Sequence, residues 1–360
     1  MSASIISLET VVPDTVLAQP DVRDVFAAQP DLSRLAQRLV PATFDAAAIE
    51  TRHTAVEELS WSSRSEHPQF FDPATGLLLK PSTHERNELY TVQAGRLYVE
   101  AARKACAAVD TDRITHVVTV SCTGFFAPGP DFLIAKELGL RPGVQRYHLG
   151  FMGCYASMPA LRLARQLCDA DPAAVVLVVS VELCTLHVRS SSDPDQIVAA
   201  SIFADGAAAA VVASEPVPGI GCSLDAFESV VTPVGEADMA WTIGDEGFEM
   251  VLSSYVPKII DEYIEDALQP LLQGRGDEVE RWAIHPGGRS ILDRVQATLR
   301  LSDEQLVPSR ETLRDYGNMS SATVLFVLAH ILGTATPGER ICAMAFGPGL
   351  TVESGLMTAN

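Results

Sequence analysis

The chain has 360 residues, of which 47% are hydrophobic, and its formal net charge is −20 at pH 7. This negative charge argues against nonspecific binding to nucleic acids and anionic membranes, because their phosphate groups would be repelled. The length allows a large core, and the sequence shows neither a signal peptide nor an uninterrupted apolar stretch that could insert into a membrane, so we expect a cytoplasmic protein.

The seven cysteines are at positions 106, 122, 154, 168, 184, 222 and 342, and they include no CxxC pair. Structural metal sites usually need closely spaced cysteine or histidine pairs. We therefore predict a reduced protein with no metal site, which fits the cytoplasm.

Strand-like and helix-like segments alternate along the first part of the chain. Asp31 is a candidate N-cap for a helix over 32–39. Further predicted segments are a helix over about 86–109, a strand over 116–121, a helix over 131–138, and buried strands over 174–181 and 207–213. This alternation predicts a layered α/β fold.

The stretch 215–219, rich in Pro and Gly, is the best break in the chain. It divides the sequence into halves 1–214 and 215–360. The second half is predicted to contain strands over 221–227, 282–284, 341–346 and 350–357, helices over 257–272, 289–299 and 323–332, and a loop over 233–247.

Cys154 follows a glycine and precedes apolar residues at helical spacing, which predicts a tight loop with Cys154 at a helix start. There the helix dipole and unpaired backbone N–H groups favour the thiolate, which is the nucleophilic form of cysteine. The position therefore suits covalent catalysis, although a buried structural cysteine is an equal alternative on this stretch alone.

His285 ends a predicted strand and is followed by Pro-Gly-Gly, whereas Asn318 follows Tyr-Gly and precedes a helix. Taken singly, they suit a packed histidine and a helix cap. Together with Cys154 they suit one reaction, in which a thiolate accepts an acyl group and two donors stabilise the oxygen of a thioester enolate. A decarboxylation supplies the carbanion, so no carboxylate base is needed.

Several motifs occur in the same order as in one known family. They are Leu138-Gly-Leu-Arg-Pro-Gly143, Gly153-Cys154 with Leu161-Arg-Leu-Ala164, Phe203-x-Asp-Gly-Ala-Ala208, His285-Pro-Gly-Gly288, Tyr316-Gly-Asn-Met-Ser-Ser-Ala322 and Phe346-Gly-Pro-Gly-Leu-Thr-Val-Glu353. In this set the sequence resembles the type III polyketide synthases, the chalcone synthase-like family of the thiolase superfamily. The resemblance implies a layered αβαβα thiolase fold of two similar halves, 1–214 with the cysteine and 215–360 with the histidine and asparagine.

The resemblance also implies a homodimer that condenses an acyl-CoA starter with malonyl-CoA units and cyclises the product to a pyrone or aromatic ring. Cys154 would hold the chain, His285 and Asn318 would assist decarboxylation, and Phe203 would be a gatekeeper. Coenzyme A thioesters would be the substrates, with no other cofactor. The implied cavity residues are Cys122, Thr123, Cys184, His187, Trp241, Gly287, Gly288, Ser320, Gly347, Pro348 and Gly349.

The sequence departs from the family at the coenzyme A entrance and in the cavity. Ala46, Ala47 and Ala48 stand near the place of basic residues, which leaves Arg34, Arg38 and Arg52 as candidate phosphate ligands. Ala127 and Cys122 favour a wide passage for an aliphatic starter, whereas Trp241 favours a narrow cavity. These departures favour a bacterial-type member over a plant chalcone-forming one.

Three alternatives remain open on the sequence. A ketoacyl synthase III-like enzyme uses the same residue types for one condensation with a carrier-protein substrate. A cysteine hydrolase would activate water, and a non-catalytic partner subunit would leave Cys154 unreactive.

Overall fold

A computed structural model describes residues 3–60, 63, 65–215, 217 and 221–360. The break predicted at 215–219 therefore lies largely outside the described residues.

Within the described residues the chain forms fifteen strands and ten α-helices. The strands are β1 Ser4–Val11, β2 Thr15–Ala18, β3 Thr51–Thr54, β4 Phe71–Asp72, β5 Leu77–Leu78, β6 His116–Ser121, β7 Gln145–Gly150, β8 Val175–Leu183, β9 Asp205–Ala213, β10 Cys222–Val231, β11 Met239–Gly244, β12 Gly247–Leu252, β13 Arg281–Ile284, β14 Arg340–Gly347 and β15 Thr351–Ala359. The helices are α1 Gln19–Ala27, α2 Ala36–Ala46, α3 Thr83–Ala105, α4 Pro130–Glu137, α5 Ser157–Ala170, α6 Pro194–Ile202, α7 Val256–Leu272, α8 Arg289–Leu299, α9 Asp303–Tyr316 and α10 Thr323–Leu332.

Nine strands form a sheet in the order β13-β14-β15-β10-β1-β9-β8-β6-β7. The run β6-β8-β9-β1 and the run β13-β14-β15-β10 have the same pattern, one parallel pair followed by two antiparallel pairs. A short antiparallel contact between β1 and β10, at Ser4–Ser223 and Ile5–Cys222, joins the runs. The two halves therefore share one topology.

Successive side chains of a strand point to opposite faces of the sheet, so each strand contacts different helices on its two faces. Val176 and Val178 on β8 face a central core that holds α5, α10 and the inner faces of both halves. Val175 and Leu177 face outward onto α3. On the other side, α7, α8 and α9 cover the outer face of β13 and β14. The result is a five-layer αβαβα arrangement with α5 and α10 in the middle.

Most predicted segments match strands or helices of the structure within a few residues, but two predictions are wrong and several elements were not predicted. The helix predicted over 32–39 is wrong, because α2 begins only at Ala36 and Asp31 instead pairs with Lys80 and Ser190. The predicted loop over 233–247 contains β11, which pairs with β12 as a hairpin. Strands β1 to β5, β7 and β12 and helices α1, α6 and α9 are additional. Among them, β7 and α9 have mixed polar sequences that lack the apolar runs that mark buried elements.

None of the helices in the described residues is both long enough and apolar enough to span a bilayer.

Candidate active site

Cys154 lies in a turn that leads into the central helix α5. The helix begins at Ser157, so the prediction that Cys154 stands at the helix start is wrong by three residues. The turn is tight, because Gly153 has a φ of 90° and a Cβ there would lie 2.6 Å from Cδ of Pro348. This close approach places the loop between β14 and β15 directly against the turn that carries Cys154.

His285 follows β13, and its backbone N–H donates to the carbonyl of Met344 at 2.8 Å. The side chain is only 1% exposed, yet neither ring nitrogen has a hydrogen-bond partner among the described residues. A buried polar group without a partner is costly, so its presence here points to a function. Both nitrogens remain available to a substrate.

Asn318 is held in an extended segment against the end of α6. Its backbone N–H donates to Ile202 O at 2.9 Å, and the N–H of Ala204 donates to Asn318 O at 2.9 Å. The side-chain Oδ1 accepts from the backbone N–H of Ser320 at 2.9 Å, and Nδ2 donates to Gly287 O at 3.4 Å. Because the hydrogen bond from Nδ2 to Gly287 O is long and therefore weak, Nδ2 is the group of Asn318 that is most available to a ligand.

Cys154, His285 and Asn318 line one cavity, as the sequence predicts for residues of one site. The free space in this cavity is about 30 Å³, enough for only a few waters. Its wall consists of Cys122, Gly153, Cys154, Phe203, Met239, Ala240, Trp241, Met250, Leu252, His285, Gly287, Ile291, Asn318, Ser320, Phe346 and Pro348.

Burial governs the protonation of the nucleophile and the histidine. It raises the pKa of the Cys154 thiol to about 12 and lowers the pKa of His285 to about 3. Each pKa shift reflects the free-energy cost of forming a single charge in the buried site. A proton moved from Cys154 to His285 would create two opposite charges on the wall of one cavity, and their attraction would oppose both penalties.

Ser320 connects Cys154 to a second thiol. The Ser320 hydroxyl donates to Cys154 Sγ at 3.5 Å, and Cys122 Sγ lies 3.3 Å from the same oxygen. Ser320 has a φ of 46°, a left-handed conformation that is uncommon for serine. The backbone bond to Asn318 Oδ1 holds Ser320 in this conformation.

A buried carboxylate supports the wall behind Cys122. Glu182 Oε2 accepts from the Cys122 N–H and the Thr123 hydroxyl, both at 2.9 Å, while Oε1 accepts from Ser321. Burial raises the pKa of Glu182, and these bonds oppose the rise. Glu182 thus fixes the end of β6 relative to the segment that carries Ser320.

Trp241 on the β11–β12 hairpin closes the opposite wall. Its Nε1–H donates to Cys122 O at 2.7 Å, and its ring contacts His187 and Phe248 edge-on. His187 stacks on Phe248 with centroids 4.2 Å apart, donates through Nε2 to Thr123 O at 2.8 Å and accepts from Phe248 N–H at 3.0 Å. Burial lowers the pKa of His187 to about 3, so it is a neutral structural link.

A second small cavity, also of about 30 Å³, lies beyond Trp241. Phe203, Trp241 and Met250 line both cavities and so separate them. Cys184 and His187 line only the second cavity.

The predicted cavity residues therefore fall into three groups. Phe203, Cys122, Trp241, Gly287, Ser320 and Pro348 line the cavity at Cys154. Cys184 and His187 line the second one. The third group is on neither wall and consists of Thr123, Gly288, Gly347 and Gly349. The Thr123 hydroxyl donates to Glu182, Gly288 is the N-cap of α8, and Gly347 packs on Tyr155.

Sequence reasoning missed the hairpin residues Met239, Ala240, Met250 and Leu252, together with Ile291 and Glu182. The sequence does not mark the hairpin as strands, because its alternation of apolar and polar residues is short and lies within a stretch that resembles a loop. Glu182 did give one, since it is the single charged residue in the apolar strand β8.

Arg52 is not available to a phosphate, which contradicts its candidacy. Its side chain is 3% exposed, and its Nη1 donates to Ala200 O at 2.7 Å and to Phe203 O at 2.8 Å. Arg52 therefore holds the end of α6 and the backbone of Phe203. Arg34 and Arg38 are exposed, before and within α2.

Comparison with known proteins adds independent findings. Residues 1–216 match the family model described as chalcone and stilbene synthases, N-terminal domain, and residues 224–359 match the corresponding C-terminal domain. The structure is similar to the crystal structure of PKS-I from the brown alga Ectocarpus siliculosus, with a TM-score of 0.91 and 28% identity over 100% of this chain and 98% of that one. It is also similar to the C-terminal type III polyketide synthase domain of Steely1 from Dictyostelium, with a TM-score of 0.88 and 28% identity over 100% and 99% of the two chains.

Proposed function

The chain belongs to the chalcone and stilbene synthase family, has the thiolase fold and is a type III polyketide synthase, and we propose that Cys154, His285 and Asn318 carry out its reaction. As a family member it acts on coenzyme A thioesters and needs no further cofactor. The observation that carries the assignment of roles is the convergence of these three residues, from three different segments, on one cavity wall. The ketoacyl synthase III-like alternative is not favoured by these relatives.

Loading begins with the proton transfer from Cys154 to His285. The thiolate attacks the carbonyl carbon of the starter thioester, the coenzyme A thiolate leaves, and an acyl-Cys154 thioester forms. The hydroxyl of Ser320 supports the sulfur with a hydrogen bond, and the same bond helps the sulfur to leave in the next step.

Extension uses the polar groups of the second half. Malonyl-CoA loses carbon dioxide, and the electron pair of the broken bond moves onto the thioester oxygen as an enolate. Asn318 Nδ2 and the unpartnered His285 ring are the donors in the cavity that can stabilise this oxygen. The enolate carbon then attacks the acyl-Cys154 carbonyl, and the chain, longer by one ketide unit, leaves as a coenzyme A thioester that can load again.

Trp241 restricts the number of extensions in this proposal. Its ring divides the space that a growing chain would occupy, and a hydrogen bond to Cys122 O fixes it. The cavity must open to admit substrate, and β11 and β12, which form the hairpin that carries Trp241, are wall strands that lie outside the nine-stranded sheet. We therefore expect a product with few ketide units. The product screen identifies the starter.

A homodimer is proposed through the outer edge of β7. This strand pairs only with β6 among the described residues, so its other side carries unpaired backbone groups. Phe125, Phe132 and Tyr147 are exposed on or near this edge. Light scattering of the wild type and of Phe132→Asp tests the proposal, and a monomeric wild type would refute it.

The division of the chain into halves 1–214 and 215–360, and a cytoplasmic location, are also proposed. The repeated strand pattern supports the division. Seven unpaired cysteines support a reducing compartment.

A product screen tests the function. Purified enzyme receives malonyl-CoA alone or with acetyl, medium- and long-chain fatty acyl, benzoyl and coumaroyl thioesters of coenzyme A, and products are identified by mass spectrometry. We expect products that differ by ketide units and that vanish with Cys154→Ala. Activity only with malonyl-acyl carrier protein would support the ketoacyl synthase alternative instead, and thioester hydrolysis without carbon–carbon bond formation would indicate a hydrolase.

A further inference from the structure

The nucleophile has a second thiol as a near neighbour. Cys154 Sγ and Cys122 Sγ both bond the hydroxyl of Ser320, at 3.5 Å and 3.3 Å, so the two sulfurs are no farther apart than these two distances combined. Both thiols line the same cavity. Neither of them is part of a disulfide.

We propose that this pair is a site of reversible oxidation, in which a hydroperoxide converts Cys154 and Cys122 into a disulfide. The inference rests on the proposed role of Cys154 as the reactive nucleophile. It adds a modification that the synthase reaction does not need, and it assigns Cys122 a chemical role besides lining the cavity.

The chemistry has two balanced steps. In the first, the Cys154 sulfur attacks one oxygen of hydrogen peroxide; an S–O bond forms, the O–O bond breaks, and the departing hydroxide takes the thiol proton to become water. Sulfur is oxidised to the sulfenic acid and the peroxide is reduced. In the second, the Cys122 sulfur attacks the Cys154 sulfur, an S–S bond forms, and the sulfenic oxygen leaves as water with the Cys122 proton.

The surroundings favour Cys122 over the other thiols as the resolving residue. Cys184 lines the second cavity, beyond Trp241. Cys106, Cys168, Cys222 and Cys342 are buried in apolar cores and line neither cavity. Cys154 is partly exposed as a residue, and the opening of the cavity that admits substrates would also admit a small peroxide.

The disulfide requires a local change, because Ser320 Oγ now contacts both sulfurs. Rotation of the Ser320 side chain removes its hydroxyl from between them, while the backbone bond to Asn318 can persist. The β-carbons must then approach to about 4 Å, the usual spacing in a disulfide. The product blocks acyl loading and also protects Cys154 from irreversible oxidation to the sulfinic acid.

The test is peroxide treatment of the full-length enzyme followed by mass spectrometry without reduction. Trypsin places Cys122 on peptide 114–136 and Cys154 on peptide 147–162, each with a single cysteine. We expect a cross-linked pair of these peptides, the loss of two of the seven thiols that iodoacetamide labels after denaturation, and full recovery with dithiothreitol. Fragment ions separate this change from oxidation of Met152 and Met158.

Two variants make the result decisive. Cys122→Ser should accumulate sulfinic Cys154 under the same treatment, whereas Cys106→Ser, which removes a buried core thiol, should form the cross-link as the wild type does. Circular dichroism confirms that each variant is folded. Sulfinic Cys154 in the wild type with Cys122 still labelled, or a cross-link to the peptide that carries Cys184, would overturn the inference. A Cys154 that iodoacetamide does not label in the native enzyme would refute the proposed function instead.

Discussion

The two halves of the molecule share a strand pattern but contribute different chemistry. In the first half, the turn before the central helix α5 carries the thiol of Cys154. In the second half, the segment before the central helix α10 carries the amide of Asn318, and the end of β13 carries the imidazole of His285. Because α5 and α10 occupy the same central layer, the turns before them meet in one cavity.

The insertions between the repeated strands differ more than the strands. The first half places β7 at the sheet edge, and the second half places α8 and α9 after β13. The second half also adds the β11–β12 hairpin, which covers the cavity. In the proposed function the scaffold brings Cys154, His285 and Asn318 together, and the insertions set access to the cavity and its volume. If this division is correct, variants in each half should affect separable steps.

The largest effect is expected from the nucleophile. Cys154→Ala removes the acyl acceptor, so product formation should fall by about 1,000-fold or more. Mass spectrometry of ketide products measures the loss. The thermal midpoint should stay within about 3 °C of the wild type, since the side chain is half-buried and small. Substantial ketide formation by this variant would contradict the assignment.

The second effect concerns the pH dependence of Cys154 reactivity. In the wild type the proposed ion pair with His285 would keep a thiolate population at neutral pH, so the iodoacetamide rate should change little between pH 6 and 9. In His285→Gln no imidazole can accept the proton, and burial, the largest of the causes that raise the pKa of Cys154 to about 12, acts without a cationic partner to oppose it. The thiolate fraction below the pKa then rises about tenfold per pH unit, and the labelling rate should follow it. Parallel profiles for the two proteins would exclude the ion pair.

The third effect separates the halves directly. Asn318→Ala removes a donor to the enolate oxygen, so malonyl-CoA decarboxylation should slow by about 100-fold or more. Starter loading on Cys154, followed by intact-protein mass, should change far less, because Asn318 is only a lesser hydrogen-bond partner of the thiol and the larger contribution, from Ser320, remains. Asn318→Asp is the matched control of similar size without the N–H donors. Equal losses in both steps would count against the proposed role.

The fourth effect concerns product length. Trp241→Ala removes the largest of the three side chains that separate the two cavities, so the products should shift towards more ketide units while loading on Cys154 persists. Trp241→Phe keeps most of the ring but loses the N–H bond to Cys122 O, and should retain the short products. An unchanged product distribution in Trp241→Ala would show that another wall limits the chain.

The smallest effect is expected at the coenzyme A entrance. Arg34 and Arg38 are exposed near α2, which packs on the α6 helix that leads to Phe203. The double variant Arg34→Glu with Arg38→Glu should raise KM for malonyl-CoA several-fold at low salt, with less effect at high salt, because exposed charge interactions are screened. Arg113→Glu, on a surface turn after α3, is the control. No change in KM would remove both residues from the binding site.

Much of the fold was predictable because its buried strands have strong local patterns. Local apolar residues identify β6, β8 and α10 without any tertiary information. Such runs indicate segments that are buried on one face or on both. The motifs around Cys154, His285 and Asn318 indicated a single reaction, although the sequence placed Cys154 at the helix start instead of three residues before it. The β11–β12 hairpin and β7 were not predictable, since their stability comes from neighbours distant in sequence.

The sequence by itself determined the chemical groups, their order and the layered α/β class, because these follow from residue type and local periodicity. Only the tertiary structure decided that Arg52 binds carbonyls of the α6 segment and not a phosphate, that His187 is a satisfied link between Thr123 and Phe248, and that Trp241 divides the cavity. These outcomes depend on which distant backbone groups meet a side chain and exclude water from it. Such contacts are fixed by the packing of whole layers, which no local stretch of the chain encodes.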